Sequence, residues 1–127
     1  MDFSDFNLTP SAKRAIEDSK SIADEFEHLK VIDLHLITSI LSQNNVNINF
    51  ALTGCEVIKD GLLEAFHQIL SDYKEPRRKK KIYAPEIFEI LEFSKKIAKK
   101  KGHEYIGIDH IFFSILSLRD EITEFLN

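Results

Sequence analysis

Tryptophan is absent from the 127 residues, and methionine and cysteine occur once each. A single thiol, Cys55, cannot close an internal disulfide, and no second thiolate stands near it to build a metal site. Cysteine usage therefore points to a reducing compartment, the cytoplasm or its equivalent. No apolar run approaches the ~20 residues a bilayer-crossing helix needs. The opening Met1-Asp2-Phe3-Ser4-Asp5-Phe6 is acidic and lacks the basic flank and apolar stretch of a secretory leader. With only four glycines and three prolines, the chain is poor in turn formers and is neither low-complexity nor disordered. None of the four glycines, Gly54, Gly61, Gly102 and Gly107, precedes a Lys-Ser or Lys-Thr pair, so a Walker A phosphate loop is excluded.

What is present is a duplication. Shifting the chain by 75 positions superposes Pro10 on Pro85, Ser19 on Ser94, Ile22-Ala23 on Ile97-Ala98, His28 on His103 and His35 on His110. Ser39-Ile40-Leu41-Ser42 falls on Ser114-Ile115-Leu116-Ser117, and Phe50 on Phe125, without a gap. The length suits one domain, 1–127, made of repeat one (8–71), a charged linker (72–82) and repeat two (83–127).

Apolar residues recur at helical spacing and never alternate as in a strand, which predicts an all-α fold: a tandem duplicated helical repeat of two pseudo-symmetric four-helix units, the second truncated. Thr9 is a good N-cap, with Pro10 at the first helical position. Ala12, Ala15, Ile16, Ser19, Ile22, Ala23 and Phe26 form one stripe, and Ile87, Ile90, Leu91, Ser94, Ile97 and Ala98 repeat it. Asp33 is expected to cap a second helix that is apolar on nearly all sides. Gly54 is expected to end a short third helix in a left-handed conformation. A fourth is expected to turn Val57, Ile58, Leu62, Ala65, Phe66, Ile69 and Leu70 inward. In repeat two, Gly102 closes the fifth helix, Gly107 permits a tight turn, the sixth helix runs over Ile111–Leu118 and a seventh begins at Asp120. Helices two and six are expected to join the halves. With nothing corresponding to the fourth helix after Asn127, apolar surface around Ile111, Ile115, Ile122 and Phe125 is expected to be exposed or covered from elsewhere.

Charge is uneven. Residues 1–70 carry eleven acids and five bases, whereas 74–101 carry eleven bases and four acids. The basic stretch reads either as a solvated linker and helix face or as a nucleic-acid contact; the first is preferred, because Arg77–Lys81 lie in the linker and Lys95, Lys96, Lys99 and Lys100 share the water-facing side of a helix. The five histidines invite a metal or catalytic reading. Their spacing is wrong for ligands on one helix, so structural roles are preferred and no metal is expected. No glycine-flanked serine elbow is present, and no enzyme is expected.

Tyr83-Ala84-Pro85 with Gly102-His103-Glu104-Tyr105-Ile106-Gly107-Ile108-Asp109-His110-Ile111 resembles the Clp N-terminal repeat, most closely its ClpC branch. Leu8-Thr9-Pro10 with Val31-Ile32-Asp33-Leu34-His35-Leu36 resembles the same motif in repeat one. The resemblance covers residues 8–127. It implies a helical, non-catalytic docking domain without cofactor. Its partners would be proteins: Clp ATPase or protease subunits, adaptors or substrates. The absent ATPase motifs and early stop favour a free-standing accessory over the N-domain of a longer unfoldase. A basic helical nucleic-acid-binding protein using residues 74–101 is the alternative.

The resemblance also implies a site. ClpC-like domains use an acid at the position of Asp109, with a threonine near the first helix start, to bind phosphorylated arginine. Here the pair is divided between repeats: Thr9 accompanies Leu34, with Asp33 one place early, and Asp109 accompanies Ala84. One weak site near Asp109 is therefore expected, with Asp33 and Asp109 acting merely as helix caps as the simpler reading. Phe88 and Phe93 lie outside the fifth helix's stripe, either covering the short end of repeat two or forming an apolar contact patch.

Overall fold

The computed structural model describes residues 3, 5–55, 58–72, 82–119 and 122. Among the described residues six helices carry the fold: α1 Pro10–Glu25, α2 Asp33–Ser42, α3 Val46–Gly54, α4 Lys59–Asp72, α5 Pro85–Lys100 and α6 Ile108–Leu118. Ile122 is also helical, while the rest of the expected seventh helix, Val57, Phe125 and linker residues 73–81 lie outside the described residues.

Each repeat is built on an antiparallel helix pair with small residues at the contact. Ala12, Ala15, Ser19 and Ala23 are the buried side of α1 together with Ile16, and the Ser39 hydroxyl of α2 donates to Ala15 O at 2.7 Å. In repeat two the Ser94 hydroxyl donates to Ile90 O, and the Ser94 and Ser114 hydroxyls lie 2.7 Å apart. Short side chains let the backbones approach, and the buried hydroxyls bond carbonyls; among the described residues no buried side-chain oxygen lacks a partner. Between the pairs, α2 and α6 meet at the centre: Leu36, Ile40, Ile111 and Ile115 have no exposed surface. The expected junction through the second and sixth helices is as read from the sequence.

Helix ends follow local chemistry. Thr9 Oγ1 accepts from the Ala12 N–H at 3.2 Å, and Asn45 Oδ1 accepts from the Asn47 and Ile48 N–H groups. Gly102 takes φ +75° beyond α5, and Glu27, its counterpart, takes φ 57° beyond α1. In both turns the next amide reaches back to a carbonyl of the last helical turn, His103 N to Ala98 O and His28 N to Ala23 O, each at 2.8 Å.

Several expectations need correction. Gly54 is the last residue of α3 and has no left-handed φ; Asn44 does, at 62°. On α4 only Leu62, Phe66 and Leu70 are buried, spaced i, i+4, i+8, whereas Ile69 is 39% exposed and Ile58, just ahead of the helix, 78%. A stripe that narrow is what a short helix lying on one neighbour can bury. Ile111, Ile115 and Ile122 are buried within the chain itself; the exposed apolar residues of α6 are Phe113 and Leu118. α6 starts at Ile108, three residues earlier than expected. Two short parallel pairings also join the repeats: β1 (Lys30–Val31) with β2 (Ile82–Tyr83), and Leu8 with Ile106.

Candidate functional site

Those pairings cross the duplication. Thr9 N donates to Ile106 O at 2.9 Å, and Ala84 N donates to Val31 O at 2.8 Å. The start of α1 in repeat one therefore lies against the turn that leads into α6 in repeat two, and the start of α5 lies against the turn that leads into α2. Thr9 and Asp109, separated by the sequence between repeats, belong to adjoining helix starts. Ala84 and Asp33 belong to the other pair.

The two junctions differ chemically. At the first, Asp109 is the second residue of α6, not its N-cap, which is Gly107. Its Oδ1 accepts from the His110 N–H at 3.0 Å, its side chain is 35% exposed, and the charge lies where the helix dipole favours an anion. A Cβ on residue 107 would come within 2.7 Å of that oxygen, so a larger residue there would push the carboxylate from this position. Thr9 Oγ1 also lies 3.2 Å from the Ser11 hydroxyl. At the second junction Asp33 does not cap α2, which begins after Ile32. Instead its Oδ2 lies 2.6 Å from Arg119 Nε, and Arg119 Nη2 lies 2.8 Å from Glu86 Oε2. One guanidinium thus bridges the start of α2 to the start of α5. Glu86 has its carboxyl pushed above the ordinary value, by burial first and by the charge of Asp33 next, with Arg119 opposing. Arg119 and Glu86 were not singled out from the sequence, because 33 positions separate them and neither has a motif.

Histidines hold both turns. His35 Nδ1 accepts from the Ile32 N–H at 2.9 Å, and His110 Nδ1 accepts from the Gly107 N–H at 2.8 Å. A ring nitrogen that accepts carries no proton, so each ring bears its hydrogen on Nε2, which donates to His28 Nδ1 in one repeat and His103 Nδ1 in the other, both at 2.9 Å. Burial holds His110 below the ordinary imidazole range, Asp109 opposes that shift, and His103 and Lys101 add to it. Among the described residues no group of three histidine, cysteine or acidic side chains gathers as metal ligands.

Beside the first junction opens a cleft of about 480 Å³, with Phe6, Leu8 and Ile16 as apolar floor, Tyr83 and Tyr105 as walls, and Lys13 and Glu17 at the edge. Phe3 packs edge-on to Tyr83 at 4.8 Å and stacks on Phe88 at 4.9 Å, so Phe88 is partly buried by the chain's own start. Tyr83 donates to Ile16 O at 3.4 Å, and burial followed by the charges of Glu17 and Asp24 raises its phenol. Phe93 is half-buried and, with Phe88 and Leu118, lines a shallower groove on α5. Lys95, Lys96, Lys99 and Lys100 are exposed, as expected, while Arg77–Lys81 fall outside the described residues. No described helix is long and apolar enough to cross a membrane. The cleft-lining aromatics could have been suspected from the aromatic excess around the chain start and Tyr83; their convergence depends on the crossed pairings.

Known proteins share this architecture. The N-terminal domain of ClpV1 ATPase from E. coli EAEC superposes with a TM-score of 0.81 at 17% identity, covering 95% of this chain and 77% of that one. The Hsp104 N-terminal domain of Candida albicans superposes with a TM-score of 0.80 at 13% identity, covering 94% and 79%. A ClpV N-domain in complex with a VipB peptide matches at 0.76 and 18% identity, covering 95% and 79%. Among curated proteins, chaperone protein ClpB of Rickettsia felis is 29% identical over 110 residues, covering 83% of this chain, which spans 13% of that relative's length. The family model of the Clp repeat N-terminal domain matches residues 7–127, and the chain belongs to that family.

Proposed function

We propose that this chain is a non-catalytic docking module that receives protein segments, substrates or adaptors, for a Clp unfoldase–protease system in the cytoplasm. The cleft beside the crossed junction carries the proposal: an apolar floor with aromatic walls and one charge of each sign at the edge suits an extended or helical polypeptide segment. The ClpV N-domain in complex with a VipB peptide supports a peptide-binding role for the fold. Anisotropy titration of a fluorescent, reduced and carboxymethylated model polypeptide tests it. Tyr105 is 53% exposed, so Tyr105→Ala removes a cleft wall without opening the core and is expected to weaken binding at least about fivefold, whereas unchanged affinity would remove the cleft from consideration.

Phosphoarginine is proposed as a ligand of the first junction, with Asp109 receiving the guanidinium and Thr9 and the helix starts facing the phosphate. Three observations support one site per chain: the adjoining starts of α1 and α6, the partial exposure of Asp109, and the engagement of Asp33 by Arg119. Thr9 lies at this junction through its backbone bond to Ile106, which supports its hydroxyl as a stand-in for the one missing at Ala84. Asp109→Asn should abolish amide shifts produced by free phosphoarginine while leaving the fold intact. Shifts centred on Leu34, or none at millimolar ligand, would leave Asp109 without a ligand role.

A further inference from the structure

The turn into α6 is held from two sides. The chain start clamps Ile106, whose N–H donates to Asn7 O at 2.6 Å and whose carbonyl accepts from the Thr9 N–H. His110 Nδ1 accepts from the next amide, Gly107 N–H. This second hold depends on where the ring protons are. The neutral His103–His110 pair has two ring protons for four nitrogens, and two of those nitrogens must stay bare: His110 Nδ1 to accept from Gly107, and His103 Nδ1 to accept from His110 Nε2. A third proton therefore has no vacant place. On His103 Nδ1 it sets two donors face to face between the rings; on His110 Nδ1 it sets two donors face to face at Gly107. Asp109 decides between these, because its Oδ1 lies 3.9 Å from His110 Nδ1 and gives a proton there an anion to turn to. Repeat one has the same ring pair, His28 and His35, but Leu34 at the position of Asp109.

We propose that the His103–His110 pair is a proton-operated latch on the first junction: one proton taken from solvent settles on His110 Nδ1, releases the Gly107 amide and makes Asp109 the partner of the imidazolium. Above the step the turn is closed and the carboxylate is open to a cationic ligand. Below it the carboxylate is engaged, and the turn on which Thr9 leans has lost one of its two holds. Burial sets the step on the acid side of the ordinary imidazole value; Asp109 opposes that, while His103 and Lys101 add to it. The remaining charged groups around the pair, Lys95, Lys99, Asp5 and Glu104, share a pocket with His103 and bring two charges of each sign. The latch belongs to the unliganded chain. It does not rest on phosphoarginine or polypeptide binding, so either reading can fail alone.

The test is a nuclear magnetic resonance titration of the full isotope-labelled chain, without ligand, between about pH 8 and pH 5. It follows the ring nitrogens of His103 and His110 by long-range proton–nitrogen correlation, together with the Gly107 amide and the Asp109 carboxyl carbon. At the upper end both rings are expected to carry hydrogen on Nε2. Through the step His110 Nδ1 should gain a proton, the Gly107 amide proton should move upfield as its bond is lost, and the Asp109 carboxyl carbon should shift at the same midpoint. Asp109→Asn keeps an oxygen for the His110 N–H and removes the charge, so it should carry that midpoint to lower pH; Asp109→Glu, which keeps the charge, should move it less. The wild-type titration stands by itself if neither variant folds. A Gly107 amide that stays in place while the rings titrate, a proton on His103 Nδ1 with His110 unchanged, or a midpoint indifferent to Asp109→Asn would overturn the latch.

Discussion

Replacing Arg119 by alanine tests whether the second junction is held together by charge. The guanidinium meets Asp33 Oδ2 at 2.6 Å and Glu86 Oε2 at 2.8 Å, and the three side chains are 33%, 12% and 20% exposed. A fully exposed pair would contribute under ~1 kcal/mol, and removing one partner of a fully buried pair costs ~3–5 kcal/mol. This site lies between those limits, and its loss leaves two poorly hydrated carboxylates facing each other, so about 1–3 kcal/mol is expected at pH 7. Thermal unfolding followed by circular dichroism should register a fall of roughly 4–12 °C. The pH dependence supplies the check. Glu86 has a raised folded pKa, so it binds a proton more tightly in the folded state, and its contribution grows more favourable as pH falls through that pKa toward the ordinary glutamate value. Without Arg119 the shift enlarges, hence the cost of Arg119→Ala should shrink between pH 7 and pH 5, and Glu86→Gln should recover part of it at neutral pH. A cost below about 0.5 kcal/mol, or one that is the same at both pH values, would refute the clamp.

Ile40→Ala and Ile115→Ala, at central positions with no exposed surface, should each cost ~2–5 kcal/mol by denaturant titration; losses in the surface range would place these helices wrongly. Gly102→Ala meets no neighbour within 4 Å but must adopt φ +75°, so it should cost ~1 kcal/mol through backbone strain alone, while Glu27→Gly should relieve the same strain in repeat one and be neutral or stabilising. His110 is held below the ordinary imidazole value, so the unfolded chain takes the proton first, and the stability it contributes is complete above pH ~6.5 and declines as pH falls toward the folded pKa. His110→Gln should flatten that decline in a pH series of unfolding midpoints.

The helices and the duplication were legible because periodicity is local: the stripe of α1 and its copy in α5 are read from spacing alone, and Thr9-Pro10 announces its own cap. The site was less so. Asp33 looks like a cap in sequence, yet the ring of His35 already accepts the Ile32 amide, and Asp33 is free to meet Arg119, which arrives from 86 positions away. The crossing of the repeats rests on pairings of one or two residues, too short to show alternation, and so the joining of the Thr9 and Asp109 helix starts could not be anticipated. On α4 the apolar residues outnumber those buried, because composition does not tell how wide a face the neighbour covers.

Docking of polypeptide at the repeat junction, as proposed above, can be read directly from the chain's own amides. The most direct measurement is amide chemical-shift mapping of the labelled chain with an unfolded model polypeptide and, separately, with a single-stranded oligonucleotide at two salt concentrations. Saturable shifts at Leu8, Ile16, Tyr83 and Tyr105 are expected with polypeptide, little changed by salt. Shifts with the oligonucleotide alone, confined to Lys95, Lys96, Lys99 and Lys100 and lost as salt rises, would contradict it.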